Sequence, residues 1–496
     1  MKNLEEHFSS FRRHTIGVDK TLSGPFGTVP LVYADWIASG RLYDPIEQRM
    51  MKIAYPYVAN THSESSALGA SMTHAYHEAQ HRIKAHVNAG SDDVLITTGS
   101  GMTGAINKLQ RILGLRIPER AQGICGKGPC IIPETERPVV FITHMEHHSN
   151  HTSWLESLAD TVILEPDEHL MVRPEELEKQ LKLYESRPVK IGAFSAASNV
   201  TGIRPPYREL VRLMHQAGGI ALIDFAAAAP YDPIDMHPAN DPLGYLDGVY
   251  FSPHKFLGGP GSPGVVVFNK RLYHNTTPDD PGGGTVIWTN PWEHAHYVDN
   301  IELREDGGTP AFLGTIRAAL AMGLKQAMGT GAIHEREQEL LNRVFEGLLE
   351  IPRLHILAQE ERDRVGALSF YFDHLHYNLV VRILSERYGI QVRGGCSCAG
   401  TYGHYLLHIG KKASQRVAFQ VESGDLTKKP GWVRLSLHPT MANDELDYIL
   451  RAIREIEVQG PQWADEYSFD KASGDFFRKD GRDFDAFSME ELFGSL

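Results

Sequence analysis

Short apolar runs, each closed by polar or glycine-containing turns, recur through the middle of the chain. The runs at 93–98, 138–143, 161–164, 190–195, 220–223, 248–251 and 264–268 predict strands. Between several of them, apolar residues return at helical spacing, over 103–113, 173–183 and 207–217. Short apolar strands alternating with helices predict an α/β fold: a mostly parallel seven-stranded sheet covered on both faces. In such a sheet, functional residues belong on loops at the carboxyl ends of strands.

The pattern changes after Gly307. Long helices are predicted over 315–328 and 332–349, short strands at 367–372 and 432–437, and further helices over 378–388 and 443–458. This predicts a smaller α+β C-terminal domain. The chain then divides into an N-terminal arm packing on the small domain (1–44), a large domain (45–310), the small domain (311–460) and a polar tail (461–496). Residues 116–137, rich in glycine and proline and carrying Cys125 and Cys130, read as a surface insertion within the large domain.

Composition narrows the classes. The 496 residues are 42% hydrophobic and 22% charged, an ordinary globular balance. A net charge of −13 argues against nucleic-acid binding. No apolar run is long enough to span a bilayer, and the charged first residues lack the apolar core of a secretory signal. Four cysteines (Cys125, Cys130, Cys396 and Cys398) do not make a disulfide framework, so a reducing cytoplasm is expected.

Lys255 follows the run 249–251 and leads into glycines, and Asp224 ends the run 220–223. Alone, Lys255 reads as a solvated loop lysine and Asp224 as a turn starter or helix N-cap. Together, a lysine on a rigid turn and a carboxylate at a strand end are what pyridoxal 5′-phosphate (PLP) chemistry requires. The lysine bonds the cofactor aldehyde, and the carboxylate keeps the pyridine nitrogen protonated. Other segments add to this. Thr98-Gly99-Ser100-Gly101-Met102-Thr103 lies between a strand and a helix, where it reads either as a plain turn or as free N–H groups that could receive an anion. The run from Thr143 to His151 is rich in histidine, suited to ring stacking, proton transfer or metal binding, or simply solvated. Asn199 stands just past a strand, where its amide could donate to a cofactor oxygen or serve a turn.

In their order along the chain, these strings resemble the class V PLP-dependent aminotransferase family, nearest its cysteine desulfurase and selenocysteine lyase branch. The strings are Met145-Glu146-His147-His148-Ser149-Asn150, Ser198-Asn199-Val200-Thr201-Gly202, Asp224, Ser252-Pro253-His254-Lys255, Gly307-Gly308-Thr309-Pro310 and Val433-Arg434-Leu435-Ser436-Leu437. The resemblance implies the fold type I of PLP-dependent transferases. It implies that His147 stacks on the cofactor ring, Asp224 pairs with the pyridine nitrogen, and Thr103, Ser252 and His254 contact the phosphate. Lys255 would be the cofactor-bound lysine. Thr309 would reach the phosphate of a neighbouring subunit, which implies a homodimer with shared active sites. Arg434 would bind the substrate carboxylate, and Asn199 could donate to the phenolic oxygen.

By the same resemblance, Cys398 takes sulfur from L-cysteine as a persulfide, leaving L-alanine and implying a sulfur-acceptor protein. Cys396 could relay or resolve that persulfide, or be a passive neighbour. Metal binding by Cys396, Cys398, His404 and His408 is an alternative, but no metal is expected. One departure stands out. Desulfurases carry a glutamine three residues past the aspartate, and here that position is Ala227. The same scaffold also serves transaminases, carbon–sulfur lyases and epimerases. From outside the family, the rivals are a non-catalytic binding protein and a metal-dependent hydrolase built on His147, His148 and His151.

Overall fold

The computed structural model describes residues 3–61, 63–120, 132–292, 294–482 and 486–495. Cys125 and Cys130, in the middle of the expected insertion, lie outside the described residues. The chain forms two compact units, one of residues 39–198 and 204–330, the other of residues 1–38, 199–203 and 331–496.

The first of these units holds a seven-stranded sheet. Its strands are β1 (Asp93–Thr98), β2 (Val139–Thr143), β3 (Asp160–Leu164), β4 (Lys190–Ser195), β5 (Ile220–Asp224), β6 (Gly248–Phe251) and β7 (Gly264–Asn269). Across the sheet the order is β1-β7-β6-β5-β4-β2-β3. Pairing is parallel from β6 through β5, β4 and β2 to β3, and β7 runs antiparallel to both of its neighbours. The expected strands all form, with ends shifted by no more than one residue. Val139, Val140, Phe141 and Ile142 are all fully buried. With both sheet faces covered, these strands read as unbroken apolar runs instead of alternating ones.

Helix α1 (Ala67–His86) has no forecast in the sequence pattern, because histidines and alanines dilute its apolar face. It packs on α4 (Phe312–Met328) through Met72, Tyr76 and Phe312. Helices α2 (Gly101–Ile112) and α3 (His148–Leu155) lie on the sheet, with Ile106, Leu109 and Trp154 against Val140, Ile142 and Val266. Because α4 buries its face on α1, this unit runs to Thr330, one helix beyond the boundary read at 311.

The other unit is built on a four-stranded antiparallel sheet of β8 (Leu354–Ile356), β9 (Ala367–Phe372), β10 (Arg393–Gly395) and β11 (Trp432–Ser436), in the order β8-β9-β11-β10. Residues 32–33 pair in parallel with residues 390–391, and Arg12 meets Glu445 at 2.6 Å. The segment 199–203 also belongs here. Val365 N–H donates to the Gly202 carbonyl, and the Ser369 hydroxyl to the Val200 carbonyl. Gly202 has φ +75°, and a Cβ there would come within 2.5 Å of the Val365 oxygen, so only glycine fits. In the tail, Tyr467–Phe469 pairs with Phe476–Arg478 as a hairpin, and the Tyr467 hydroxyl donates to Glu386. Among the described residues, no helix is long and apolar enough to cross a membrane.

Candidate active site

The sheet unit gathers one set of the expected residues at the carboxyl ends of its strands. Asp224 ends β5, and Lys255 follows β6 on a single 3₁₀ turn, Pro253–Lys255. Close glycines hold that turn. A Cβ on Gly259 would stand 1.9 Å from the Pro253 oxygen, and Gly40 N–H donates to the His254 carbonyl. Lys255 is half-buried. Asp224 is buried and accepts the Ala226 N–H at 2.7 Å. Burial pushes its carboxyl up to about 7, Glu146 adds to the rise, and the Lys255 cation opposes it. A cationic ring N–H opposite Asp224 would return it to the ionised form.

The same unit holds the groups expected to receive a phosphate or stack on the ring. Ser100 offers helix α2 no side-chain cap, and Gly99 faces open space. The Ser252 hydroxyl accepts the Met102 N–H at 2.8 Å, which ties β6 to the start of α2. Gly101 has φ +60°, and a Cβ there would crowd the Ser252 hydroxyl at 2.9 Å. His254 is held neutral, its pKa lowered to about 4 by burial and the adjacent Lys255 cation. Thr103 is exposed, and its hydroxyl lies 2.6 Å from that of Ser149. His147 caps α3, its Nδ1 accepting the Ser149 N–H, so the neutral ring carries its proton on Nε2. Thr309 is exposed, its hydroxyl 3.4 Å from the Asn60 amide.

Sequence reasoning assigned no role to Glu146, which anchors this floor. Its carboxylate accepts the hydroxyls of Thr143 and Ser195 at 2.6 and 2.5 Å and the Asn150 amide at 2.7 Å. The Asn150 oxygen in turn accepts the Tyr250 hydroxyl. Glu146 is fully enclosed, and burial raises its pKa against those hydrogen bonds. Lys325, also unassigned, is buried and donates to the carbonyls of Ala229 and Asp232, fixing the turn after Asp224.

The other unit gathers Arg434, Asn199 and Cys398. Arg434 lies on β11 and is buried. It donates from Nη2 to Asp35 at 2.6 Å and from Nη1 to the Asn199 carbonyl at 3.1 Å, while its Nε–H is buried with no partner. Arg393, opposite Arg434 in the sheet, holds the second oxygen of Asp35 at 3.1 Å. Asp35 lies in the N-terminal arm, where no motif pointed to chemistry. The Asn199 amide donates to the Ser397 carbonyl at 2.7 Å, a use the cofactor-oxygen expectation did not include. Cys398 is exposed and Cys396 half-buried, both as free thiols. Ala227 is buried and provides no hydrogen-bonding side chain.

The donor set fits PLP: an uncapped helix start with hydroxyls for phosphate, a buried carboxyl for a ring nitrogen, and a lysine on a fixed turn. Among the described residues, no group of three or more His, Cys, Asp or Glu side chains is placed to hold a metal ion. Both ring nitrogens of His404 are within hydrogen-bond distance of other groups, the Gly400 carbonyl and the Ser414 hydroxyl.

Comparison with known proteins agrees with this donor set. A probable cysteine desulfurase of Halalkalibacterium halodurans is 28% identical over 378 residues, 75% of this chain and 84% of the relative. The cysteine desulfurase of Shigella flexneri is 27% identical, over 78% of this chain and 90% of the relative. Among solved structures, the cysteine desulfurase CsdA of Escherichia coli superposes with a TM-score of 0.69 at 20% identity, covering 90% of this chain and 97% of the other. The apo cysteine desulfurase of Thermococcus onnurineus gives 0.67 at 22% identity, covering 87% and 95%. These two show the fold, that of PLP-dependent enzymes of type I. The family described as Aminotransferase class-V matches residues 32–449, most of the chain. With a sheet unit that presents Lys255 and Asp224 at its strand ends, the chain belongs to the class V aminotransferase family and is a PLP-dependent enzyme.

Proposed function

We propose that this enzyme is a cysteine desulfurase, converting L-cysteine to L-alanine with the sulfur taken up on Cys398. The observation that carries the reading is Cys398 itself, an exposed free thiol on a loop anchored by Asn199, in the same compact unit as Arg434. The curated relatives named cysteine desulfurase support it.

Bound PLP supplies an electron sink for charge developing at the substrate α-carbon. The chain's own residues do the rest. The Arg434 guanidinium, with Nε–H unpartnered, receives the substrate carboxylate. Lys255 Nζ takes the α-proton as general base. Asp224 would keep the ring nitrogen protonated, and His147 would stack on the ring. The Ser252 and Thr103 hydroxyls, with His254, would hold the phosphate. Asn199, with one amide hydrogen used on Ser397, would have the other for the phenolic oxygen. The Cys398 thiolate attacks the substrate sulfur as the substrate Cβ–S bond breaks. The bonding pair leaves with the carbon fragment, which is protonated to alanine, and the sulfur stays on Cys398 as a persulfide.

A homodimer and a sulfur-acceptor protein complete the proposal. In the sheet unit Ile53, Tyr57, Ile287, Trp288 and Trp292 are exposed, as is Thr309. Large apolar side chains left in water mark a surface for association. A cytoplasmic location suits free thiols, which persist in a reducing compartment. The test is to incubate the purified holoenzyme with L-cysteine and a dithiol reductant, which releases the persulfide sulfur as sulfide, and to measure alanine and sulfide. Both are expected from wild type and neither from Lys255→Ala, while a wild-type enzyme that yields no alanine refutes the reading.

Ala227 favours a second reading. Without a side-chain donor there, the site suits a transaminase, carbon–sulfur lyase or epimerase in which Cys398 is not chemical. A screen of amino acids by cofactor absorbance separates these, since the preferred substrate perturbs the spectrum at the lowest concentration.

A further inference from the structure

Residues 396–399 form a closed turn. Ala399 N–H donates to the Cys396 carbonyl at 3.0 Å, and the two central residues, Ser397 and Cys398, have φ of 50° and 57°. Positive φ at both central positions defines a type I′ turn, ordinarily built from glycine or asparagine. Among the described residues, no other two adjacent non-glycine residues share positive φ. Each such residue is strained and persists only where its surroundings enforce it. Here they do. Asn199 holds the Ser397 carbonyl, and β10 leads into the turn through Gly394 and Gly395.

The turn sets the two thiols apart in kind. Cys398 is at the exposed tip, and Cys396 is half-buried at the base. The Tyr377 ring lies beside that base. A Cβ on Gly394 would be 3.4 Å from the ring, and one on Gly431 would be 2.6 Å. The Tyr377 hydroxyl donates to the Lys429 carbonyl, and its pKa is pushed up to about 12 by burial, with Cys396 adding to the rise. Turn closure keeps residues 396 and 399 within about 7 Å, so Cys396 and Cys398 are nearer than in an extended chain.

We propose that Cys396 is a second sulfur carrier, receiving the sulfane sulfur from Cys398 and holding it at the base of the turn for the acceptor. This rests on the desulfurase reading. Cys396 gives its proton to solvent and attacks the outer sulfur of the Cys398 persulfide. A bond forms between Cys396 Sγ and that sulfur as the bond to Cys398 Sγ breaks. Cys398 leaves as a thiolate with the bonding pair, ready for another substrate. The exchange needs no oxidant or reductant, because one persulfide replaces another.

The test gives the holoenzyme a limiting amount of L-cysteine, traps thiols and persulfides by alkylation, and locates the extra sulfur by fragmenting the peptide that carries both cysteines. Wild type is expected to hold most of it on Cys396. The Cys396→Ser and Cys396→Ala variants should hold it on Cys398, and Cys398→Ser should show none on Cys396. Extra sulfur confined to Cys398 in wild type overturns the relay while leaving the desulfurase reading intact. A Cys396–Cys398 disulfide with released sulfide overturns it too, since attack then falls on the inner sulfur. Sulfur on Cys396 in Cys398→Ser reverses the proposed order and also overturns it. No alanine and no extra sulfur on either residue overturns the desulfurase reading and the relay together.

Discussion

Buried Arg434 and half-buried Asp35 form an ion pair at 2.6 Å in which the guanidinium keeps its Nε–H without a partner. Asp35 also holds Arg393, so one carboxylate orients two guanidinium groups. Replacing Asp35 with alanine leaves a buried cation uncompensated and free to turn. The expected result is a rise in KM for the amino acid of about tenfold or more, or ~1.4 kcal/mol. Arg434→Lys should do the same, because an ammonium cannot match a carboxylate with a planar fork. Steady-state kinetics decide it, and an unchanged KM in both variants removes Arg434 from substrate binding.

Asp224 gives a pH prediction for the cofactor-free protein. Its folded pKa of about 7 lies above the ordinary 3.8, raised by burial and by Glu146 and opposed by Lys255. The folded state therefore binds the proton more tightly than the unfolded state. The stabilisation is full below about pH 4 and is lost as pH rises towards 7. Glu146, also raised by burial, adds loss of the same sign. Thermal unfolding of the apoprotein should show a midpoint that falls over this window, with a shallower fall in Asp224→Asn. Equal slopes in the two proteins would show that Asp224 is not the group responsible.

Asn199→Ala removes the amide that holds the Ser397 carbonyl. The strained turn should relax, slowing turnover with L-cysteine about tenfold or more, a loss of ~1.4 kcal/mol. Cofactor absorbance bound through Lys255 should remain. Alkylation rates at Cys398 provide the second readout, and a rate equal to wild type argues against the anchoring role.

Gly202→Ala places a methyl group 2.5 Å from the Val365 oxygen at φ +75°. Backbone strain alone costs about 1–3 kcal/mol, and the clash adds to it. A thermal midpoint several degrees lower is expected. A midpoint equal to wild type would mean that this crossing accommodates a side chain.

Much of this architecture was legible in the sequence because burial on both faces makes β2, β5 and β6 read as unbroken apolar runs. Lys255 and Asp224 were legible because one follows and the other ends such a run, so their place at the carboxyl ends of the strands follows from the runs themselves. Asp35 was not. It sits in an arm without strong periodicity, and its meaning comes from Arg434, hundreds of residues away. Glu146 was hidden for a related reason, since a carboxylate beside histidines reads as solvent-facing until Ser195 and Asn150 are seen to enclose it. The turn at 396–399 could not be forecast either, because Ser397 and Cys398 are not the residues that positive φ favours.

The most direct test of the whole account is a single-turnover measurement of alanine from L-cysteine by wild type and Cys398→Ser, each carrying the same amount of bound PLP. The account predicts alanine from wild type and a loss of about a hundredfold or more, ~2.7 kcal/mol, in the variant. Alanine formed equally fast by both proteins would contradict it, leaving a PLP enzyme in which Cys398 takes no part in the chemistry.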